Sequence, residues 1–261
     1  MQKPGHPVLT HTGTHSPHRC PASPFCYICA VRDLDELVAF IDDDPGLDGL
    51  RDDVVPRLDD DPGHDLSHAL RVSLWTMRLG GAAVGPRTAI AAALLHDVVN
   101  LPKDSPERGQ ASERSAAVAE ALLPVYGFRP AEVTEIAQAI RDHSYSRGAT
   151  PTSPLGKALQ DADRLEALGA LGVFRAVSCG ARMGSRYFHD QDPWGNAREL
   201  NDRAFTVDHF FEKLLLLEGT MQTDGGRREA GRRTAFMRAF LEELAEEIGA
   251  ALPDAPTAVT D

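Results

Sequence analysis

The sequence predicts an all-α fold, on three observations. Apolar residues recur at three- and four-residue intervals along most of the chain from Asp33 onward. Pairs such as Pro45-Gly46 and Gly80-Gly81 punctuate those runs. No stretch alternates apolar and polar residues in the manner of a strand. In order, Leu34, Leu37, Val38 and Ile41 mark a first helix that Pro45-Gly46 should end. Residues 64–80 place Leu66, Leu70, Leu74 and Met77 on one side of a second helix, closed by Gly80-Gly81. Pro86 opens the next in its first turn, where a missing N–H costs nothing. That helix carries Ala89 to Val99 and breaks before Pro102. Further helices are expected at 110–123, 130–142, 154–169, 170–182, 203–217 and 227–249. The long connection from Arg182 to Asp202 suits either a lid or an ordinary packed surface loop.

The ends read differently. Residues 1–30 contain five prolines, four histidines and three of the four cysteines. They are expected to form a mobile tail. His18, Cys20, Cys26 and Cys29 offer zinc-ligating atoms, but no second Cys-x-x-Cys completes a site. Residues 31–250 are expected to be a single all-α domain, and 251–261 a disordered C-terminus.

A hydrophobic fraction of 42% in 261 residues supplies a core, and 6% aromatics means aliphatic and Ala packing dominates it. The formal net charge of −12 argues against a nucleic-acid polymer as partner. It leaves room for a local basic pocket that takes a small anion. No apolar run approaches the roughly 20 residues of a membrane span, and no signal pattern opens the chain. A cytoplasmic protein without a membrane partner is therefore expected. The final helix, from Arg227, offers a surface for a homodimer.

His68, His96, Asp97 and Asp163 form a plausible ligand set for one divalent metal. His64 and His68 are four apart and would share one helical face. His96 and Asp97 are adjacent, about 100° apart on a helix, so both reach one ion only near a helix that turns inward. Asp161 and Asp163 point differently, so one should bind and the other should not. A mixed nitrogen and oxygen set suits Mn, Co, Ni, Fe, Zn or Mg and does not choose among them. Open positions on such an ion can hold a nucleophilic water and a substrate oxygen.

Three ordered segments carry a resemblance: His64-Asp-Leu-Ser-His68, Leu94-Leu-His96-Asp97-Val-Val99, and Asp161-Ala-Asp163-Arg-Leu-Glu-Ala-Leu-Gly169. They resemble the successive motifs of the HD-domain superfamily of metal-dependent phosphohydrolases. Asn100 to Asp104, Asp142 to Ser146 and Asp208 to Leu215 resemble one bacterial branch, some of whose members are regarded as nucleotide pyrophosphatases. The resemblance implies an HD-type helical fold with extra C-terminal helices, ligands His68, His96, Asp97 and Asp163, and hydrolysis of a phosphorylated small molecule, most plausibly a nucleotide. It also favours Asp163 over Asp161. One departure stands out. Some better-understood phosphohydrolases of that superfamily carry a Glu three residues after the His-Asp pair, where this chain has Asn100, which orients water but cannot take its proton.

Around the ligands, Asp104, His64 and His143 are the candidate proton-handling groups. Lys103, Arg108 and Lys213 are candidates to hold substrate phosphates. Asp65, Asn100 and Asp161 are expected just behind the ligands, Asp65 fixing a His tautomer. Arg71 is expected to pair with a carboxylate. Two rival readings are a diiron oxygenase or lyase on the same helices and a nucleotide sensor without turnover. The first lacks a histidine soon after Asp97, and the second is motivated by Asn100.

Overall fold

The computed structural model describes residues 31–58, 63–101, 107–144 and 147–253. The expected N-terminal tail with His18, Cys20, Cys26 and Cys29, the candidates Lys103 and Asp104, and the chain end from residue 254 lie outside the described residues. Among the described residues there are ten α-helices and no strand, as the periodicity predicts. They are α1 (Leu34–Asp42), α2 (Pro45–Val54), α3 (Leu66–Gly80), α4 (Pro86–Leu95), α5 (Ala111–Leu122), α6 (Pro130–His143), α7 (Pro154–Glu166), α8 (Gly169–Met183), α9 (Thr206–Glu212) and α10 (Asp224–Ile248). None of the helices is long and apolar enough to cross a membrane.

Four expectations about boundaries are corrected, each for a local reason. Pro45-Gly46 does not merely end α1 but opens α2. Asp44 caps α2 by accepting from Gly46 N at 2.9 Å and Leu47 N at 3.1 Å, and proline at the first helical position loses no bond. α3 starts at Leu66, because Asp65 is its N-cap and accepts from His68 N at 2.8 Å. His64 therefore lies outside the helix and does not share a helical face with His68. α4 stops at Leu95, with His96 at its C-cap and Asp97 in the following turn. The expected helix at 203–217 divides at Lys213 into α9 and a 3₁₀ segment, Leu214–Thr220. The tighter winding stacks residues three apart, which buries Leu214 and Leu217 on one side.

The helices bury two apolar clusters. The first gathers α1 to α7 around α4, whose residues Ala89 to Leu95 are all fully buried. A helix that is apolar on every side can only be central, and its alanines let neighbouring helices approach closely. α3 packs against both α4 and α7, and α6 against α5 and α7. The second cluster joins the end of α7 to α8, α9, the 3₁₀ segment and α10 through Leu168, Phe210, Leu214, Met237 and Leu241. Trp75 on α3 packs against both clusters.

Two close approaches seat α10, one against the start of α8 and one against α7. Gly169 takes φ +72° as α8 begins, and a Cβ there would lie 3.2 Å from Arg233 Cγ. Gly226, in the first turn of α10, leaves no room for a Cβ, which would fall 2.3 Å from Asp161 Oδ2. The connection between α8 and α9 is a packed loop held by hydrogen bonds. Asp192 accepts from Asn196 N and Ala197 N, both at 2.9 Å, and Trp194 is buried with Nε1 donating to Ala250 O at 3.1 Å. The buried Asp208 carboxylate accepts from Arg198 Nη1 at 2.5 Å, Arg198 Nη2 at 2.7 Å and Asn201 N at 2.7 Å.

Candidate metal centre

Three helices and one turn bring the ligand candidates to a point. α3 contributes His68, the end of α4 His96, the next turn Asp97, and α7 Asp163. His68 Nε2 lies 3.2 Å from His96 Nε2 and 3.7 Å from Asp163 Oδ1. His96 Nε2 lies 3.6 Å from Asp97 Oδ2 and 3.9 Å from Asp163 Oδ1. Both imidazoles are almost fully buried, while each carboxylate keeps a quarter of its side chain open to the pocket.

The tautomers decide what this cluster can hold. His96 Nδ1 lies 2.7 Å from Ala93 O, and a carbonyl only accepts, so Nδ1 carries the proton. His68 Nδ1 faces Glu166 Oε2 at 3.4 Å, again an acceptor. Two Nε2 lone pairs therefore point at each other with carboxylate oxygens beside them and no proton between. Such a donor set repels itself unless a cation sits among its members, so a divalent metal fits.

The charge states agree with that reading. Burial pushes His96 down to about 4, keeping its imidazole neutral at ordinary pH. Burial alone would raise Asp97, but His96, His143 and His64 outweigh it and hold the carboxyl well below its usual range. Asp163 is likewise lowered, its burial being outweighed chiefly by His96.

His143 ends α6 with Nδ1 at 2.6 Å from Ile140 O and Nε2 at 3.5 Å from Asp97 Oδ1. Burial would lower it, but its bond to Asp97 and the charges of Asp97 and Asp163 raise it instead. His64 Nε2 approaches the other oxygen, Asp97 Oδ2, at 3.9 Å. Two overlapping groups could each hold an ion: His68, His96 and Asp163, and His96, Asp97 and His143. Arg108 and Lys213 line the same pocket of about 190 Å³ with His64, Asp97, His143 and Asp163. Asn100 follows the α4 turn and is not among the described residues lining it.

Two of the residues expected behind the ligands do other work. Asp65 caps α3 rather than fixing an imidazole. Asp161 faces away from the cluster and is fully buried. It accepts from Gln222 N at 2.8 Å and from Thr223 N and Thr223 Oγ1, both at 2.7 Å. The carboxylate behind His68 is Glu166, which also accepts from Arg71 Nε at 2.7 Å. Burial would raise Glu166, but His68 and Arg71 outweigh it and hold it below its usual range. A sequence signal for Glu166 existed. His68 and Arg71 are three apart on α3, and Asp163 and Glu166 are three apart on α7, so the two pairs match across the helix contact. Arg175, on α8, also lines the pocket and carried no signal of its own.

The HD-domain family profile matches residues 65–168, from the cap of α3 to the turn before α8. YpgQ of Bacillus subtilis strain 168, an uncharacterized protein, is 32% identical over 191 residues, covering 71% of this chain and 84% of YpgQ. The crystal structure of YpgQ in complex with ADP matches with a TM-score of 0.60 at 26% identity, covering 77% of this chain and 93% of that one. An HD-superfamily hydrolase of Bacillus thuringiensis matches with a TM-score of 0.54 at 28% identity, covering 84% of this chain and 97% of that one.

Proposed function

This chain belongs to the HD-domain family, and from that premise we propose that it is a metal-dependent phosphohydrolase that cleaves a phosphoester or phosphoanhydride of a nucleotide. One observation carries the reading. Two imidazole Nε2 atoms converge with no proton between them, beside two carboxylates, at a pocket whose lining includes Arg108, Arg164, Arg175 and Lys213. His68, His96, Asp97 and Asp163 would hold the metal, one ion per chain. A divalent cation supplies Lewis acidity toward a water and toward a phosphoryl oxygen.

The chain's own side chains account for the rest. Arg108 and Lys213 hold non-reacting phosphate oxygens and offset the charge that develops on them. In hydrolysis, the water oxygen bonds to phosphorus as the bridging P–O bond breaks, and a proton ends on the leaving oxygen. His143 holds a proton at Nε2 beside Asp97 Oδ1, and His64 approaches the other oxygen of the same carboxylate. These two are the groups nearest the ligands that can move a proton. The complex of YpgQ with ADP supports a nucleotide as the substrate of this similar chain.

The test is turnover of nucleoside tri-, di- and monophosphates by protein loaded in turn with Mn, Co, Ni, Fe, Zn or Mg. Asp97→Ala should lower it on the order of 10³-fold; full activity in that variant sinks the proposal. Metal content separates the rival. The pair of overlapping ligand groups makes a two-ion site conceivable, and two irons per chain with oxygen consumption would favour the oxygenase reading.

A further inference from the structure

The pocket at the ligands opens into a larger cleft of about 480 Å³. His64, Arg108, Ala167, Arg175 and Lys213 line both compartments. Arg71, Arg182 and His209 add further basic groups to the outer cleft, where Asp65, already committed to capping α3, is the one carboxylate among the described lining residues. In a chain of net charge −12, such a gathering of cations concentrates anions where the rest of the surface repels them.

Arg175 differs from Arg71, Arg164 and Arg233, each of which reaches an acceptor, Arg164 donating from Nη1 to Thr220 O at 2.7 Å. Arg71 is bound to Glu166 at 2.7 Å, and Arg233 donates to Glu229 Oε1 at 2.7 Å and Leu165 O at 2.6 Å. Arg175 Nη1 is buried and has no hydrogen-bond partner among the described residues. A buried charged donor without an acceptor is costly, and native proteins keep few of them. The group sits where the two compartments meet, and a planar guanidinium offers paired N–H donors that match phosphate oxygens.

We propose that Arg175 is a specificity-determining residue that binds the phosphoryl group adjoining the one held at the ligand cluster, so that the cleft selects substrates with at least two linked phosphates. This deepens the phosphohydrolase reading and rests on it for the word substrate, but anion binding by Arg175 is testable without turnover. A phosphate ester with nothing beyond its reacting group leaves Arg175 Nη1 unmet, whereas a phosphoanhydride supplies the missing acceptor.

The experiment uses the full chain, stripped of metal, with inorganic tripolyphosphate and orthophosphate as probes in titration calorimetry at fixed salt. Wild type should bind tripolyphosphate more tightly than orthophosphate. Arg175→Gln should weaken tripolyphosphate by about 10-fold or more, as expected for a lost charge-assisted hydrogen bond. Arg175→Lys should recover only part of that, because the charge returns without the fork. Thermal unfolding guards against a folding artefact. Arg175→Met should unfold at the same or a higher temperature than wild type, since an unmet buried donor has been removed; a merely structural arginine would lower it. Tripolyphosphate affinity within twofold of wild type in Arg175→Gln, or no preference for tripolyphosphate in wild type, would overturn the proposal. Metal-loaded protein gives a second arm. Arg175→Gln should reduce kcat/KM for a nucleoside triphosphate by a larger factor than for bis(p-nitrophenyl) phosphate. Equal losses on both would also overturn it. Lost tripolyphosphate affinity in a protein that turns over neither compound would leave Arg175 as an anion site and sink only the phosphohydrolase reading.

Discussion

The α3–α7 bundle and the α8–α10 cap meet at one cleft and contribute unequally to it. From the bundle come all four ligand candidates, His96 kept neutral by burial and Asp97 and Asp163 held ionised, on helices packed around the fully buried α4. The cap brings no ligand candidate to the cleft, only the cations Arg175 on α8 and Lys213 at the break after α9, which join Arg108 and Arg164 from the bundle side. The bundle coincides with the HD-domain match at 65–168, and the cap lies beyond it. The difference teaches a division of labour. Metal ligands need fixed tautomers and sub-ångström placement, which close helix packing provides. Cations that hold phosphate oxygens act over longer reach from flexible stems, so a shorter helix, a 3₁₀ turn and a helix face suffice.

Breaking the bundle's side should have the largest effect. Asp97→Ala or His96→Ala should lower turnover on the order of 10³-fold, the scale of several kcal/mol of lost Lewis-acid stabilisation. Steady-state kinetics and elemental analysis would check this, and a variant that keeps both metal and rate would break the comparison. Glu166→Gln should weaken metal binding by about 10- to 100-fold in chelator competition, because His68 loses the carboxylate that fixes its proton at Nδ1. Unchanged metal affinity would show that Arg71, not His68, is what Glu166 serves.

The seam between the two regions offers a smaller, purely structural effect. Asp161→Ala removes three hydrogen bonds to Gln222 and Thr223 at the entry to α10. It should cost about 2–3 kcal/mol in denaturant unfolding and leave metal affinity in the same chelator assay within a factor of two. Asp163→Ala should do the reverse, so the two aspartates separate cap attachment from metal binding.

A pH profile of the metal-free protein gives the mildest test. His96 in the folded state is lowered from 6.5 to about 4, so the unfolded chain takes the proton first, and stability falls as pH drops from 6.5 toward 4. His143 is raised, so its contribution is complete below 6.5 and is lost as pH rises through its folded value. Stability of the stripped protein should therefore peak near pH 6.5. Chemical denaturation across this range in the presence of chelator would measure it, and a flat profile would contradict the buried, neutral state assigned to His96.

Much of the bundle was legible in the chain. Helical periodicity marked most of its helices, and the ordered histidines and aspartates marked the ligand candidates, because both signals are local. α2 was missed because Asp44-Pro45-Gly46 reads as a stop when it is also a capped start. Asp65 was misread for a related reason: a short polar residue before an apolar run caps a helix as readily as it orients a ligand. The cap was harder. Its long connection is pinned by Asp192, Trp194 and Asp208, none of which announces its partner in sequence.

By itself the sequence determined the all-α class, the order of the ligand candidates and the −12 balance that makes any cationic pocket meaningful. Spacing alone could say that Asp161 and Asp163 diverge, since residues two apart on a helix point about 200° apart. The family resemblance favoured Asp163. Only the tertiary structure decided what each one meets: Asp163 faces His68, and Asp161 faces the amides before α10. It also decided that Glu166 stands behind His68 and that Arg175 lies where two compartments join. Periodicity is a property of neighbouring residues, whereas these pairings join side chains from different helices, and their geometry exists only once the helices pack.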